Sequence, residues 1–125
     1  MLDNPQVNIF AICDRVIRDQ VGKPSLLGVF DVFNFSKFPA SYQFFLFTQI
    51  SAPRGDYLIA VHLSREEGLQ KKIFEERIRI NENPGIGHVC ANLTITYDEP
   101  GLYDFRLYID DMPRLICPFH VRQIT

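Results

Sequence analysis

Apolar and polar side chains alternate along almost the whole of this 125-residue chain. A period of two is the mark of half-buried strands, whose side chains point to opposite faces in turn. Gly, Pro, Asn or Asp breaks the pattern every roughly 8 to 15 residues, and no segment sustains a helical period. The clearest stretch runs from Thr96 to Ile109. Pro100-Gly101 makes a turn there, after which Tyr103, Phe105, Leu107 and Ile109 share one face and Asp104, Arg106 and Tyr108 the other. Asp110-Asp111-Met112-Pro113 is a turn cluster, and alternation resumes through Leu115, Cys117, Phe119 and Val121, so the two strands form a hairpin. Pro118 has no amide hydrogen to donate, which places the last strand at an edge or at a non-bonded site.

Upstream, Val89, Ala91, Leu93, Ile95 and Tyr97 share a face, leaving His88 and Cys90 outward. Tyr57, Ile59, Val61 and Leu63 form another inward set. Arg65-Glu66-Glu67-Gly68 reads as a hairpin loop into a strand from about Leu69 to Ile80, whose Lys, Glu and Arg residues protect an edge against pairing with other chains. The N-terminal third is apolar on both faces. Around Ser41 to Ile50, Phe45 and Phe47 oppose Tyr42, Phe44 and Leu46; in Leu26 to Phe35, Leu27, Val29 and Phe33 oppose Leu26, Phe30 and Val32. Something must cover that second face: a loop, the N-terminal strand around Val7 to Val16, or another protein molecule. About eight strands without intervening helices read as an all-β, two-sheet antiparallel sandwich of immunoglobulin-like or related topology, with a closed barrel as the alternative. The length suits a single domain over residues 1–125.

Hydrophobic residues at 46%, charged residues at 22%, 11 Phe and 5 Tyr belong to a globular chain. The net charge is -2, and the 13 basic residues are scattered without a run or stripe. Nucleic acid and anionic membrane, which need concentrated positive charge, are therefore not the expected partners. Met1-Leu2-Asp3-Asn4-Pro5 carries no signal-peptide pattern, and the apolar runs are too short for a membrane helix, so a cytoplasmic protein is expected. Cys13, Cys90 and Cys117 are odd in number and widely separated, as reduced thiols are; a Cys13 to Cys90 bridge is the alternative for an exported protein.

Phe10-Ala11-Ile12-Cys13-Asp14, Asp19, Gly22-Lys23-Pro24-Ser25-Leu26-Leu27-Gly28-Val29-Phe30 and Phe38-Pro39, together with Pro100-Gly101-Leu102-Tyr103-Asp104-Phe105 and Asp110-Asp111, resemble a family of small uncharacterised bacterial proteins. The resemblance covers most of the chain. It implies an immunoglobulin-like β-sandwich and transfers no catalytic or binding residue.

Several residue groups carry candidate chemistry beside a structural reading. Gly22-Lys23-Pro24-Ser25 echoes the end of a phosphate loop, but Ile17 stands where the first glycine belongs and no helix follows, so it reads as a turn. Asp14, Asp19 and Lys23 cluster near the first turn as a candidate polar site, or as ordinary solvated charges. His88 and Cys90, with His62 or His120, lack the second ligand pair of a zinc site. Cysteine at Cys117 needs a nearby histidine to act as a nucleophile and is otherwise an inert apolar side chain. No metal or other cofactor is expected. Phe33, Phe45 and Phe47 are the strongest lead, either as a second buried layer or as anchors of an interface. The expected function is a non-enzymatic binding or assembly module, self-associating as a homo-oligomer or meeting a protein partner. A small ligand-binding or hydrolytic domain around Asp14, Asp19 and Lys23, and a carbohydrate-binding module using Tyr42 or Tyr108, are the alternatives.

Overall fold

The computed structural model describes residues 4–65 and 70–125. Among these the chain is all-β, in nine strands: β1 (Gln6–Arg18), β2 (Pro24–Val29), β3 (Val32–Phe35), β4 (Ala40–Ala52), β5 (Gly55–Arg65), β6 (Gln70–Ile80), β7 (Gly85–Tyr97), β8 (Gly101–Ile109) and β9 (Met112–Gln123). They form two sheets. The four-stranded sheet has the order β2-β1-β4-β7, and the five-stranded sheet has the order β3-β9-β8-β5-β6 and curls as a half-barrel. A closed barrel is thereby set aside. No helix among the described residues is long and apolar enough to cross a membrane.

The alternation read from the sequence matches the burial. Tyr103, Phe105, Leu107 and Ile109 on β8, Tyr57, Ile59 and Val61 on β5, and Val89, Ala91, Ile95 and Tyr97 on β7 join one apolar cluster with Phe44, Leu46 and Ile50 of β4. His88 and Cys90 face outward and are exposed. The β8-β9 hairpin turns on Asp110 and Asp111, both with positive φ (51° and 65°), the conformation that a two-residue hairpin turn needs to match strand twist. Asp110 also accepts the Leu58 amide through Oδ1 at 2.8 Å, tying the hairpin to β5. The charged β6 is an edge strand, as its composition predicts. Residues Glu66, Glu67 and Gly68 of the expected loop lie outside the described residues.

One expectation needs correction and a second is refined. The strand count rises because Leu26 to Phe35 is two strands and not one. β2 pairs with β1, and β3 pairs in parallel with β9 in the other sheet. The chain thus changes sheets at Phe30-Asp31, which is why large side chains seem to occupy both faces of one continuous run. The last strand, β9, is also not an edge strand throughout, since β3 covers it from His120 to Gln123. Pro118 lies before that covered stretch, opposite Asp104 of β8 on its other side, where its missing donor costs little.

The two lateral openings between the sheets are built differently. At the β6-β7 side, Gly85 and Gly87 bring the strands together. A Cβ on Gly87 would come within 2.9 Å of the side-chain tips of Ile78 and Ile80, and one on Gly85 within 2.6 Å of Ile80 Cγ2. The β2-β3 side has no such closure, and it carries the candidate site.

Candidate functional site

Asp14 lies on β1 between Cys13, which is opposite Val29, and Arg15, which is opposite Leu27. It therefore faces Gly28 of β2. Gly28 holds φ at +70°, and a Cβ there would stand 2.5 Å from Asp14 Oδ2. Glycine is required twice over: for the left-handed backbone, and for the space the carboxylate fills. The other carboxylate oxygen, Oδ1, accepts a 2.8 Å hydrogen bond from the hydroxyl of Tyr42 on β4. This bond to Asp14, more than burial, raises the Tyr42 phenol above its ordinary value, because it favours the protonated hydroxyl. Around the pair, Gly28, Phe30, Phe33, Asn34, Phe35 and Tyr42 line a half-open recess of about 430 Å³. Phe30 meets Phe33 edge to face at 4.8 Å and Tyr42 at 5.8 Å, and Phe35 meets Tyr42 at 6.4 Å. Among the described residues Asp14 has no cationic partner.

Asp19 and Lys23 do not join Asp14. Asp19 Oδ1 accepts the amides of Val21 and Lys23, each at 2.9 Å, and its backbone carbonyl accepts the Gly22 amide at 3.0 Å. With Gly22 at φ +84°, this is the side-chain-capped turn typical of aspartate. It joins β1 to β2 and commits Oδ1 of the carboxylate to backbone bonds. The proposed trio thus separates into a recess holding Asp14 and a turn holding Asp19 and Lys23.

The three phenylalanines also part company. Of the two readings of Phe33, a buried layer or an interface anchor, its packing matches the buried one. Phe33 is 3% exposed, with the rings of Phe30, Tyr42, Phe44, Tyr97 and Phe119 at 4.8 to 5.5 Å. The crossing at Phe30-Asp31 brings β3 into the other sheet and turns this ring inward. Phe47 does project from the outer face of the four-stranded sheet, yet it is 1% exposed. It lies beside the His88 ring at 5.4 Å, so its own sheet covers it. Phe45, on the same face, is half-buried.

That outer face is divided. Toward β7 it carries a polar ladder: Ser41 with Thr96 at 2.6 Å, Gln43 donating to Asn92, and Gln49 with His88 at 3.1 Å. Toward β2 it is largely apolar, with Ile9, Ile17, Leu27 and Val29 exposed, Val29 at 62%, and an exposed Arg15 among them opposite Leu27. Cys13 is fully buried within this apolar half, Cys90 is exposed, and all three cysteines are free thiols. No group of three or more His, Cys, Asp or Glu among the described residues is placed to hold a metal ion.

A second opening of about 910 Å³ lies between β6 and β7 at the end away from the glycines, lined by Leu63, Ile73, Leu93, Ile95 and Tyr103 with Lys71 and Lys72 among the polar residues. Lys72 pairs with Glu75 at 2.5 Å, and Arg65 pairs with Glu99 and lies 5.0 Å over the Tyr103 ring. Alternation in the sequence places these residues on faces but says nothing of the gap, which depends on how far two edge strands from different sheets diverge.

Fold and site together define an all-β protein of two sheets with an acidic, aromatic recess at one lateral opening. The chain belongs to DUF6941, a family of unknown function whose model matches residues 8–122. No curated protein matches it. Among solved structures it is similar to a β-glucosidase from Listeria innocua in complex with glucose, with a TM-score of 0.59 and 13% identity over 76% of this chain. It is also similar to the alkylpurine DNA glycosylase AlkC of Pseudomonas fluorescens bound to DNA containing an abasic site analog, with a TM-score of 0.60 and 8% identity over 95% of this chain. The chain spans only 15% of the glucosidase and 30% of the glycosylase. At such identities the likeness is one of fold alone.

Proposed function

We propose that this chain is a non-enzymatic assembly module: an immunoglobulin-like β-sandwich that associates with a second copy of itself through the apolar half of its four-stranded sheet. Support for the immunoglobulin-like reading comes from the strand succession, which changes sheets at β2 to β3, β3 to β4, β4 to β5, β6 to β7 and β7 to β8. It also comes from Tyr103 at the start of β8, whose hydroxyl donates to the Glu99 carbonyl at 2.7 Å. That is the geometry of a tyrosine corner, a hallmark of such sandwiches.

The observation that carries the functional reading is the exposure of Ile17, Leu27 and Val29 on the β1-β2 part of one face, beside Arg15. Contiguous apolar surface on a folded protein marks an interaction site more often than scattered apolar residues do. The contrast with β6 strengthens it. That edge is guarded by Lys71, Lys72, Glu75, Arg77 and Arg79, whereas β2, from Pro24 to Val29, has no charged residue. A carbohydrate-binding reading asks for a flat exposed ring. Tyr42 is held in the recess by Asp14 and Phe30, and Tyr108 packs on His62 at 4.6 Å.

Size-exclusion chromatography with light scattering tests the proposal. The chain is expected at twice its 14.5 kDa. A Leu27→Glu, Val29→Glu double variant is expected to be a folded monomer, whereas Ile116→Glu, on an exposed position of the other sheet, leaves the mass unchanged. A wild-type chain that stays monomeric at high concentration would overturn the proposal.

A further inference from the structure

We infer that the Asp14 recess is a specificity pocket for a basic side chain, arginine above all, carried by an extended segment of another protein that pairs with the free edge of β2. β2 is hydrogen-bonded on one side only, to β1, so its outer edge offers unpaired backbone groups, and pairing an extended peptide there is a common recognition mode. In such pairing the backbone bonds hold the peptide, and pockets reached by alternate side chains select its sequence.

The recess lies where one of those alternate side chains must go. Pro24, Leu26 and Gly28 are the β2 residues facing inward, Gly28 at the β2-β3 opening. A residue on an added strand directly opposite Gly28 would have its Cβ about 4.5 to 5.5 Å from the position a Gly28 Cβ would take. Gly28 has no side chain to stand there, and the Asp14 carboxylate takes up that space, 2.5 Å from the Cβ position. A long cationic side chain folding over Gly28 therefore meets the carboxylate directly.

Charge and shape both select arginine. Asp14 lacks a cationic partner among the described residues, and the Tyr42 hydroxyl bond leaves the second oxygen, Oδ2, open toward Gly28. The walls are the rings of Phe30, Phe35 and Tyr42, and a planar guanidinium both stacks on aromatic faces and bonds carboxylates. A second copy paired through its own β2 does not supply that group. With faces matched, the β2 residues nearest in register to Gly28 are Pro24 and Leu26, neither of them charged. The segment is thus not a second β2, and its binding at the β2 edge leaves the outer face of the sheet available for self-assembly.

The test is an NMR titration of the full chain with the acetylated, amidated peptide Thr-Val-Thr-Arg-Thr-Val-Thr and its versions with Gln or Glu in place of Arg. With millimolar arginine peptide, amide shifts are expected at Asp14, Leu27, Gly28 and Val29. The glutamine peptide is expected to bind about ten-fold more weakly, as the loss of one charge-assisted hydrogen bond implies. Asp14→Asn, which keeps an acceptor for Tyr42, should bring the arginine and glutamine peptides to the same affinity while leaving the melting temperature of the chain unchanged. Equal binding of all three peptides, shifts confined to β6 and β7, or no shift at all would each overturn the inference.

Discussion

Replacing Phe33 with alanine separates a core reading of this residue from an interface reading. The ring is packed by rings from β4, β7 and β9 as well as by Phe30 and Phe35. It thus bridges the two sheets at the point where β3, only four residues long, meets the rest. Truncating such a ring removes its transfer free energy and leaves a cavity that large neighbouring rings cannot easily fill, a loss of about 3 to 5 kcal/mol. Against a total stability of about 5 to 15 kcal/mol for a domain of this kind, that is a large fraction. With a urea m-value of about 2 kcal/mol per M, the unfolding midpoint should fall by roughly 2 M at unchanged slope. The measurement is urea unfolding followed by circular dichroism and tyrosine fluorescence, with the native mass determined alongside. A midpoint within about 0.5 M of wild type, a loss of less than about 1 kcal/mol, would refute the reasoning. It would mean that β3 detaches without cost to the rest, or that the ring belongs to a partner's surface.

Tyr103→Phe removes the hydroxyl that donates to Glu99 O and should cost about 1 to 2 kcal/mol in the same assay; no change would mean that the corner contributes nothing. Stability should also fall at alkaline pH. Burial raises the Tyr97 and Tyr103 phenols above their ordinary values, and the Tyr97 hydroxyl is buried without a hydrogen-bond partner among the described residues. A folded-state value raised above the unfolded one gives stability that is whole below about pH 10 and is lost as the unfolded chain ionises above it. Thermal melts from pH 8 to 11 that stay flat would contradict this. For the thiols, burial first raises Cys13 and Cys90 alike, but only Cys90 is exposed. A disulfide reagent at neutral pH should therefore modify Cys90 first and Cys13 only on unfolding, and equal rates in the native state would sink the assignment.

Much of this architecture was legible in the alternation alone. Period two is a local property of an extended chain, so the inward sets on β5, β7 and β8, the outward His88 and Cys90, and the charged edge of β6 could each be read from a few neighbouring residues. The Asp110-Asp111 turn was legible for the same reason, because the demand for positive φ acts on those two residues alone. Alternation does not say which strand lies beside which, since any apolar face satisfies any other. Tertiary pairing alone therefore decided that the chain changes sheets after Phe30, that β3 runs parallel to β9, and that Phe33 belongs to the core while Phe47 is covered by its own sheet. The recess has the same origin. Asp14 and Tyr42 are 28 residues apart and meet because β1 pairs with β4. The fit of the Asp14 carboxylate against Gly28 exists only once β2 has folded back on β1, because a site made from several strands is a property of their register and not of any one of them.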